Sequence, residues 1–258
     1  MKTIMTAGKG GTGKSTLLAN LLIQHILPRA NGKTLVVDAD PHQSLTHLLA
    51  AQYHFQSPVS LGELRLHHAD ALRSAKGLEQ SSRSELAELL VQQALVPLPG
   101  GALLVMGASD QQGCQCVVNS LLGKALDAIR ERFDLVAVDN EAGIEPIGRH
   151  AWAADILLLM TSMRALDLDV AERILLQAQT VRREIGLSIL IVNRFQVRFD
   201  SRPDHSLPKT DYVMMMPYSK SLDRTDVPDA EWLASLPNLW NAIQHNEKPA
   251  DVVSRRKG

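Results

Sequence analysis

The sequence predicts an α/β fold in which one doubly wound, mostly parallel sheet of about seven strands carries helices on both faces. Three observations predict it. Apolar runs of strand length alternate along the chain with longer segments of helical period. The strand-length runs are apolar on both faces, which is typical of parallel strands covered on both sides. A glycine-rich segment, residues 8–16, separates the first predicted strand from the first predicted helix.

Each strand prediction rests on a short apolar run bounded by polar, glycine or proline residues. The runs are TIMTA at 3–7, TLVVDA at 34–39, ALLVMG at 102–107, DLVAVDN at 134–140, DILLLMT at 155–161, LSILIVN at 187–193 and DYVMMMP at 211–217. The helices are predicted from length and period between these runs, at 14–27, 117–132, 165–185 and 230–245. Residues 51–99 are polar, helix-prone and without a clear strand, so we expect a helical insert within a single domain spanning 1–258.

Length and charge narrow the classes of function. A chain of 258 residues can bury a sizeable core, and its net charge of -1 gives no general attraction to polyanions. We therefore expect no nucleic acid and no membrane as partners. The first residues lack the apolar region of a signal peptide, and the run ILLLM at 156–160 is too short to span a bilayer. The sequence thus predicts a cytoplasmic protein.

The strongest chemical signal is GKGGTGKST at residues 8–16. It matches the P-loop pattern G-x-x-x-x-G-K-[ST] between a strand and a helix, where glycines let backbone N–H groups surround a phosphate. The residues predicted to bind nucleotide are Gly8, Lys9, Gly10, Gly11, Thr12, Gly13, Lys14, Ser15 and Thr16. Lys14 is expected to reach the β- and γ-phosphates, and the Ser15 hydroxyl is expected to hold Mg²⁺. The alternative is a glycine-rich turn that binds no nucleotide.

Lys9 is an additional lysine directly after the first glycine of this loop. In this respect the loop resembles the deviant P-loop of the ATPases that include septum-site proteins, chromosome-partition proteins and the nitrogenase iron protein. The resemblance implies that Lys9 reaches across a homodimer interface to the nucleotide bound by the partner. The alternative is a solvated surface lysine.

Other positions match landmarks of the same superfamily in order along the chain. The resemblance implies that Asp40 is the switch I carboxylate that orients the attacking water, and that Asp38 lies beside the P-loop and Mg²⁺. It assigns Asp139, at the end of another strand, as the Walker B carboxylate that binds a water on Mg²⁺. Gly143 is the expected switch II glycine that senses the γ-phosphate.

Two further segments are predicted to contact the nucleobase. The run LIVNRF supplies Asn193 and Arg194, and the resemblance suggests Asn193 for the adenine edge. The run MPYS supplies Pro217 and Tyr218 in a second base-contacting loop.

The chain has two cysteines, Cys114 and Cys116, separated by one residue. In an extended segment they point to the same face, so both could bind one ion. A tetrahedral thiolate site takes four ligands, so the missing two would come from water, histidines or a second subunit. A dimer with the pair on its two-fold axis would supply all four as thiolates. A helix beginning near Val117 would lower the pKa of both thiols and favour metal binding. The alternatives are two small buried side chains or a redox pair.

The segment GCQC at 113–116 and DNEAGIEPIGR at 139–149 make the resemblance more specific. With the P-loop, they resemble the CooC family of maturation ATPases for nickel carbon monoxide dehydrogenase. That resemblance implies ATP hydrolysis, ATP- and metal-promoted dimerisation, Ni²⁺ or Zn²⁺ bound between two C-x-C pairs, and apo carbon monoxide dehydrogenase as client. Asn140 departs from the family pattern, which usually has Thr or Met after the Walker B aspartate.

Two other classes of function stay open. A partition or positioning ATPase would bind DNA or membrane as a dimer, and the tail DVVSRRKG at 251–258 is basic. An electron-transferring iron protein would hold a [4Fe–4S] cluster between subunits. The adjacent spacing of Cys114 and Cys116 argues against that cluster.

Overall fold

The computed structural model of the chain describes residues 2–56, 58–67, 80–107, 127, 129–141, 154–180, 185–196 and 207–245. Within these ranges the chain forms eight strands and seven α-helices. The strands are β1 Lys2–Gly8, β2 Thr34–Asp38, β3 Leu95–Leu98, β4 Gly101–Val105, β5 Leu135–Asp139, β6 Ala154–Thr161, β7 Ile185–Phe195 and β8 Tyr212–Pro217. The helices are α1 Lys14–Leu21, α2 Ser44–Tyr53, α3 Leu61–His67, α4 Gln80–Ala94, α5 Ala165–Thr180, α6 Ala230–Leu233 and α7 Leu236–His245.

The predicted fold class is confirmed: the strands are mostly parallel, with one antiparallel pair among the described pairings, and they alternate with helices. All seven predicted strands are present, with each end within two residues of its predicted position. The eighth strand, β3, was not predicted. None of the helices in the described ranges is long and apolar enough to cross a membrane.

The chain divides into two compact units, one formed by Ile26–Val138 and the other by Lys2–His25 together with Asp139–Gly258. In the first unit the strand order is β3-β4-β2-β5, and in the second it is β1-β6-β7-β8. The single domain spanning 1–258 stays a prediction.

In the first unit, the expectation of an insert without a strand is wrong at residues 95–98. There β3 pairs antiparallel with β4, and Leu98 lies opposite Gly101. The two residues between them are Pro99 and Gly100, with Gly100 at φ +83°, the arrangement that a type II turn requires. The strand was not predicted because Pro97 argues against a central strand. Proline is confined to edge strands, and β3 lies at the edge of this order.

In the second unit, both faces of the parallel strands are buried. One face packs against α5 through a cluster in which alternate residues of β6 and β7 take part. Its members are Ala7, Leu157, Leu159, Ala171, Ile174, Leu175, Ala178, Leu190, Val192 and Val213. The intervening residues of β6, Ile156, Leu158 and Met160, are buried as well. Burial on both faces explains why these strands read as continuous apolar runs.

The end of β7 carries a β-bulge. Val192 pairs with Met215 and Phe195 pairs with Pro217, so two residues of β7, Asn193 and Arg194, lie opposite one residue of β8. Arg194 has φ +59°, a conformation that few residues other than glycine adopt. Bulges redirect side chains, and the side chain of Asn193 in this bulge makes a hydrogen bond to the Thr12 carbonyl oxygen.

The single helix predicted at 230–245 is two helices, α6 and α7. Asp229 caps α6, because its Oδ1 accepts a hydrogen bond from the backbone N–H of Trp232. Pro237 lies in the first turn of α7 and has no N–H to continue the hydrogen bonds of α6. A new helix therefore begins at this point. The helix predicted at 165–185 also ends early, because Ile185 begins β7.

Candidate functional site

The glycine-rich loop begins at Gly8, where β1 lies close against β6. Gly8 lies opposite Met160 in the parallel pair. A Cβ atom at Gly8 would lie 2.3 Å from the Met160 carbonyl oxygen, and φ at Gly8 is +142°. Only glycine fits this position, because neither the backbone of β6 nor this φ accommodates a side chain.

Gly13 connects the loop to α1 and has φ +97°. Gly13 is the N-cap of α1 and has no side chain that could cap the helix. Lys14, the first residue of α1, is only 6% exposed, and its Nζ donates a hydrogen bond to the Lys9 carbonyl oxygen at 3.4 Å. Ser15 and Thr16 follow it and are half-buried. Helix N–H groups that follow a glycine N-cap, beside a buried lysine, form a site suited to an anion such as phosphate.

Asn193 stabilises the loop by a hydrogen bond to its backbone. Its Nδ2 donates a hydrogen bond to the Thr12 carbonyl oxygen at 2.9 Å, and its Oδ1 accepts one from Trp232 Nε1 at 3.1 Å. The backbone N–H of Arg194 donates to the same Oδ1. A Cβ atom at Gly13 would lie 2.6 Å from the Asn193 Nδ2, so the amide fills the space that the glycine leaves. Asn193 is 4% exposed, and its role at the adenine edge stays a prediction.

Asp139 lies fully buried at the end of β5, and Thr6 of β1 holds it. The Thr6 hydroxyl donates a hydrogen bond to Asp139 Oδ1 at 2.7 Å. The neighbouring Asn140 donates from its Nδ2 to the Thr6 carbonyl oxygen at 2.9 Å. The carboxylate predicted for a magnesium-bound water is thus oriented by the strand that leads into the P-loop.

The Lys9 ammonium pairs with Asp167, near the start of α5. Lys9 Nζ lies 2.7 Å from Asp167 Oδ1, and the Ser162 hydroxyl donates to Asp167 Oδ2 at 2.6 Å. Burial acts to raise the pKa of Asp167, but the hydrogen bonds from Lys9 and Ser162 and the positive charges of Lys9 and Arg164 outweigh it and lower the pKa. Asp167 is therefore held as a carboxylate.

A cavity of about 710 Å³ opens beside the P-loop within the second unit. The lining residues that the sequence predicted are Lys9, Gly10, Gly11, Thr12, Asn193, Arg194 and Tyr218. The others are Ser162, Met163, Arg164, Asp167, Gln196 and Asp223. A second cavity of about 560 Å³ shares Tyr218 and Gln196 with it, and Pro217 lines this second cavity.

The charged residues of the first cavity differ in their surroundings: its two carboxylates are hydrogen-bonded, whereas its two arginines are exposed. Its two carboxylates already accept hydrogen bonds, Asp167 from Lys9 and Ser162, and Asp223 from the Tyr218 hydroxyl. The latter bond raises the pKa of Tyr218. Arg164 and Arg194 add two cations to the same lining, and both are exposed. The cavity is thus suited to an anionic ligand.

Asp38 and Asp40 lie in the first unit, at the end of β2. Asp38 Oδ2 accepts hydrogen bonds from the backbone N–H of Thr46 at 2.8 Å and from its hydroxyl at 2.6 Å, near the N-terminus of α2. Burial raises the pKa of Asp38 despite these bonds. Asp40 Oδ1 accepts from the backbone N–H of His42 at 2.9 Å. The two carboxylates order the turn from β2 into α2, and their catalytic roles stay predictions.

Three predicted site residues, Gly143, Cys114 and Cys116, lie outside the described residues. In the part of the chain that the structure describes, no group of three or more His, Cys, Asp or Glu side chains could hold a metal ion.

The sequence did not predict Thr6, Ser162, Asp167 or Trp232. Ser162 and Asp167 follow the carboxyl end of β6, where ligands of parallel α/β sheets bind, so their position was a usable signal. Trp232 carried no such signal, because it reaches Asn193 from a helix that is distant in sequence.

Comparison with known proteins also indicates a nucleotide-binding domain. A family model described as the CobQ/CobB/MinD/ParA nucleotide binding domain matches residues 3–225. An uncharacterised ATP-binding protein of Methanocaldococcus jannaschii is 27% identical over 252 residues, which cover 95% of this chain and 92% of that protein.

Two solved structures share the fold. The septum site-determining protein MinD of Pyrococcus horikoshii, complexed with Mg-ADP, has a TM-score of 0.60 at 16% identity, covering 94% of this chain and 96% of its own. Cobyrinic acid a,c-diamide synthase of Mycobacterium smegmatis, with bound ADP and magnesium, has a TM-score of 0.61 at 19% identity, covering 98% of this chain and 100% of its own. These two likenesses show the fold, and they do not single out the carbon monoxide dehydrogenase maturation family. The chain belongs to the CobQ/CobB/MinD/ParA nucleotide-binding domain family.

Proposed function

We propose that this protein binds ATP with Mg²⁺ and hydrolyses it to ADP and phosphate, working as a nucleotide-dependent switch. The observation that carries the proposal is the N-terminus of α1, which has the glycine Gly13 as its N-cap and begins with the buried Lys14. Two proteins of the same fold were solved with ADP and magnesium, which supports the choice of ligand.

The residues around α1 fit a magnesium-bound triphosphate. The N–H groups at the start of α1 and the Lys14 ammonium would bind the phosphate oxygens. The Ser15 hydroxyl would bind Mg²⁺, and Asp139, oriented by Thr6, would bind a water on that ion. Magnesium would neutralise charge that develops on the phosphates. The nucleoside would extend into the cavity that Arg194 and Tyr218 line.

Hydrolysis itself is assigned to switch residues that the resemblance identifies. Asp40 would orient the attacking water, and Gly143 would sense the γ-phosphate. Lys9 would contact the nucleotide of a second copy, so that ATP promotes a homodimer. Lys9→Ala should then weaken dimerisation with an unhydrolysed ATP analogue, measured by light scattering.

Phosphate release from ATP tests the proposed activity. We expect release that needs Mg²⁺ and that falls to background in Lys14→Ala, because the variant loses its phosphate-binding ammonium. Release at the wild-type rate by Lys14→Ala would contradict the proposal and point to a contaminating ATPase.

A second, narrower function is proposed from the two cysteines. Cys114 and Cys116 are the only cysteines of the chain and are one residue apart. In this proposal each subunit supplies one C-x-C pair, the dimer binds one Ni²⁺ or Zn²⁺, and the client is apo carbon monoxide dehydrogenase.

Metal stoichiometry tests this second proposal. Equilibrium dialysis and sedimentation on the same samples should give one divalent ion per dimer, and Cys114→Ser or Cys116→Ser should abolish tight binding while ATP binding persists. One ion per monomer, unchanged on dilution, would contradict the shared site. Cosedimentation with duplex DNA or anionic vesicles, dependent on ATP, would instead favour a partition or positioning ATPase.

A further inference from the structure

Lys9 lines the cavity of about 710 Å³ beside the P-loop, and a carboxylate holds its ammonium. Lys9 and Asp167 both line the cavity, as do Gly10 and Gly11 of the P-loop. Nζ of Lys9 lies 2.7 Å from Oδ1 of Asp167, and the side chain of Lys9 is 37% exposed whereas that of Asp167 is 9% exposed. The lysine end of the pair can therefore move into the cavity, while the carboxylate end is fixed.

Asp167 is fixed from two further directions. Its Oδ2 accepts the hydrogen bond from the Ser162 hydroxyl, and its backbone N–H donates to the Arg164 carbonyl oxygen in the first turn of α5. The carboxylate thus has one oxygen committed to Ser162 and the other to Lys9. It holds the Lys9 ammonium in one position beside the loop.

A phosphate chain entering this cavity would compete with Asp167 for the same ammonium. Phosphate groups carry more negative charge than one carboxylate, and they would lie against N–H groups of the loop next to Lys9. The Lys9 side chain of this ion pair is 37% exposed, so water screens the attraction in part and the exchange of one anion for another is accessible.

We propose that Asp167 is a positioning residue that holds Lys9 away from the phosphates until nucleotide binds and draws the ammonium from it. This inference rests on the proposed ATP site. It assigns to Asp167, with Ser162, a role in setting nucleotide affinity. The same contact would keep Lys9 from a second copy of the chain in the absence of nucleotide.

A double-mutant cycle on nucleotide affinity tests the inference. The titrant is magnesium with the ATP analogue in which an imido group bridges the β- and γ-phosphates. Asp167→Asn should bind it about threefold to tenfold more tightly than the wild type, because the competing carboxylate is gone. In a Lys9→Met background the same substitution should have only the small effect of Asp169→Asn, which removes an exposed charge from the same helix.

The outcomes of this cycle are separable from failure of the ATP site itself. Absence of binding by the wild-type chain would overturn the proposed function. Binding by the wild type together with weaker binding by Asp167→Asn, or with an equal effect of Asp167→Asn in both backgrounds, would overturn only the role of Asp167.

A second measurement uses the wild-type sequence and does not depend on the folding of Asp167→Asn. Lysines are reductively methylated with ¹³C, which preserves their charge, and the Lys9 resonance is identified by its loss in Lys9→Arg. Addition of the analogue should shift this resonance, because the ammonium leaves the carboxylate for phosphate. A resonance that stays in place at saturating analogue would overturn the proposal.

Discussion

Asn193 donates a hydrogen bond from its Nδ2 to the carbonyl oxygen of Thr12 at 2.9 Å, across 181 positions of sequence. The bond ties the bulge at the end of β7 to the residue before Gly13. Since the Asn193 Oδ1 also accepts from Trp232, one buried amide links the P-loop to α6.

Asn193→Ala should lower the free energy of unfolding by about 1–3 kcal/mol, because the Trp232 Nε1–H loses its acceptor and the Thr12 carbonyl its donor. It should also weaken nucleotide binding, since the loop is no longer braced. Trp232→Phe is the matched control, because it leaves the bond to Thr12 intact. Urea denaturation and nucleotide titration of both variants measure the two effects. Equal loss of nucleotide affinity in both variants would contradict a specific role for the bond to Thr12.

Asp40→Asn should bind ATP but turn it over about 10²-fold more slowly, the range typical of losing a positioned acid–base group. The asparagine Oδ1 can still accept from the backbone N–H of His42, so the turn after β2 is preserved. Steady-state phosphate release and nucleotide titration separate turnover from binding. Wild-type turnover in this variant would remove Asp40 from the hydrolytic site.

Gly8→Ala and Gly11→Ala should differ in their cost to stability. At Gly8 the new Cβ would lie 2.3 Å from a backbone oxygen of β6, whereas at Gly11 no atom of the described residues lies within 4 Å and the φ of +77° is the unfavourable feature. We expect a loss of about 1–2 kcal/mol for Gly11→Ala and a clearly larger loss for Gly8→Ala. Urea unfolding of the two variants measures the difference. Equal losses would mean that the strands separate more easily than the geometry indicates.

The Lys9–Asp167 pair should give a defined dependence of stability on pH. The pKa of Asp167 in the folded chain lies below its ordinary value of 3.8, so the ionised carboxylate stabilises the fold above pH 3.8. That contribution is lost as the pH falls through the lowered pKa.

Asp167→Asn should therefore unfold with a free energy lower by up to about 1 kcal/mol at pH 7 and at pH 5, with the difference shrinking only below pH 4. Asp169→Asn is the control for loss of charge from an exposed position of α5. Urea titrations at several pH values measure both. A difference between wild type and Asp167→Asn that grows on acidification would contradict the lowered pKa.

The sequence predicted the strands well because each parallel strand is buried on both faces and stands out as an apolar run. β3 was missed because Pro97 and Pro99 are typical of a loop. The pairing with β4 shows that this edge strand accommodates Pro97. Pro237 was the available signal for the break between α6 and α7.

The candidate site was predictable where its residues are adjacent in sequence. Gly8 to Thr16 carry their own pattern, and the structure gives them the strand, loop and helix that the pattern requires. Contacts between distant segments, such as Lys9 with Asp167, have no local pattern. They depend on which strands become neighbours, and here β1 and β6 do.

Calorimetric titration with a series of ligands that differ in phosphate content tests the central claim most directly. If the N-terminus of α1 and Lys14 bind phosphate, the chain should bind ATP and ADP with Mg²⁺ but adenosine far more weakly, and Lys14→Ala should lose most of the affinity for ATP. Binding of adenosine as tight as that of ATP, or unchanged ATP affinity in Lys14→Ala, would contradict the account.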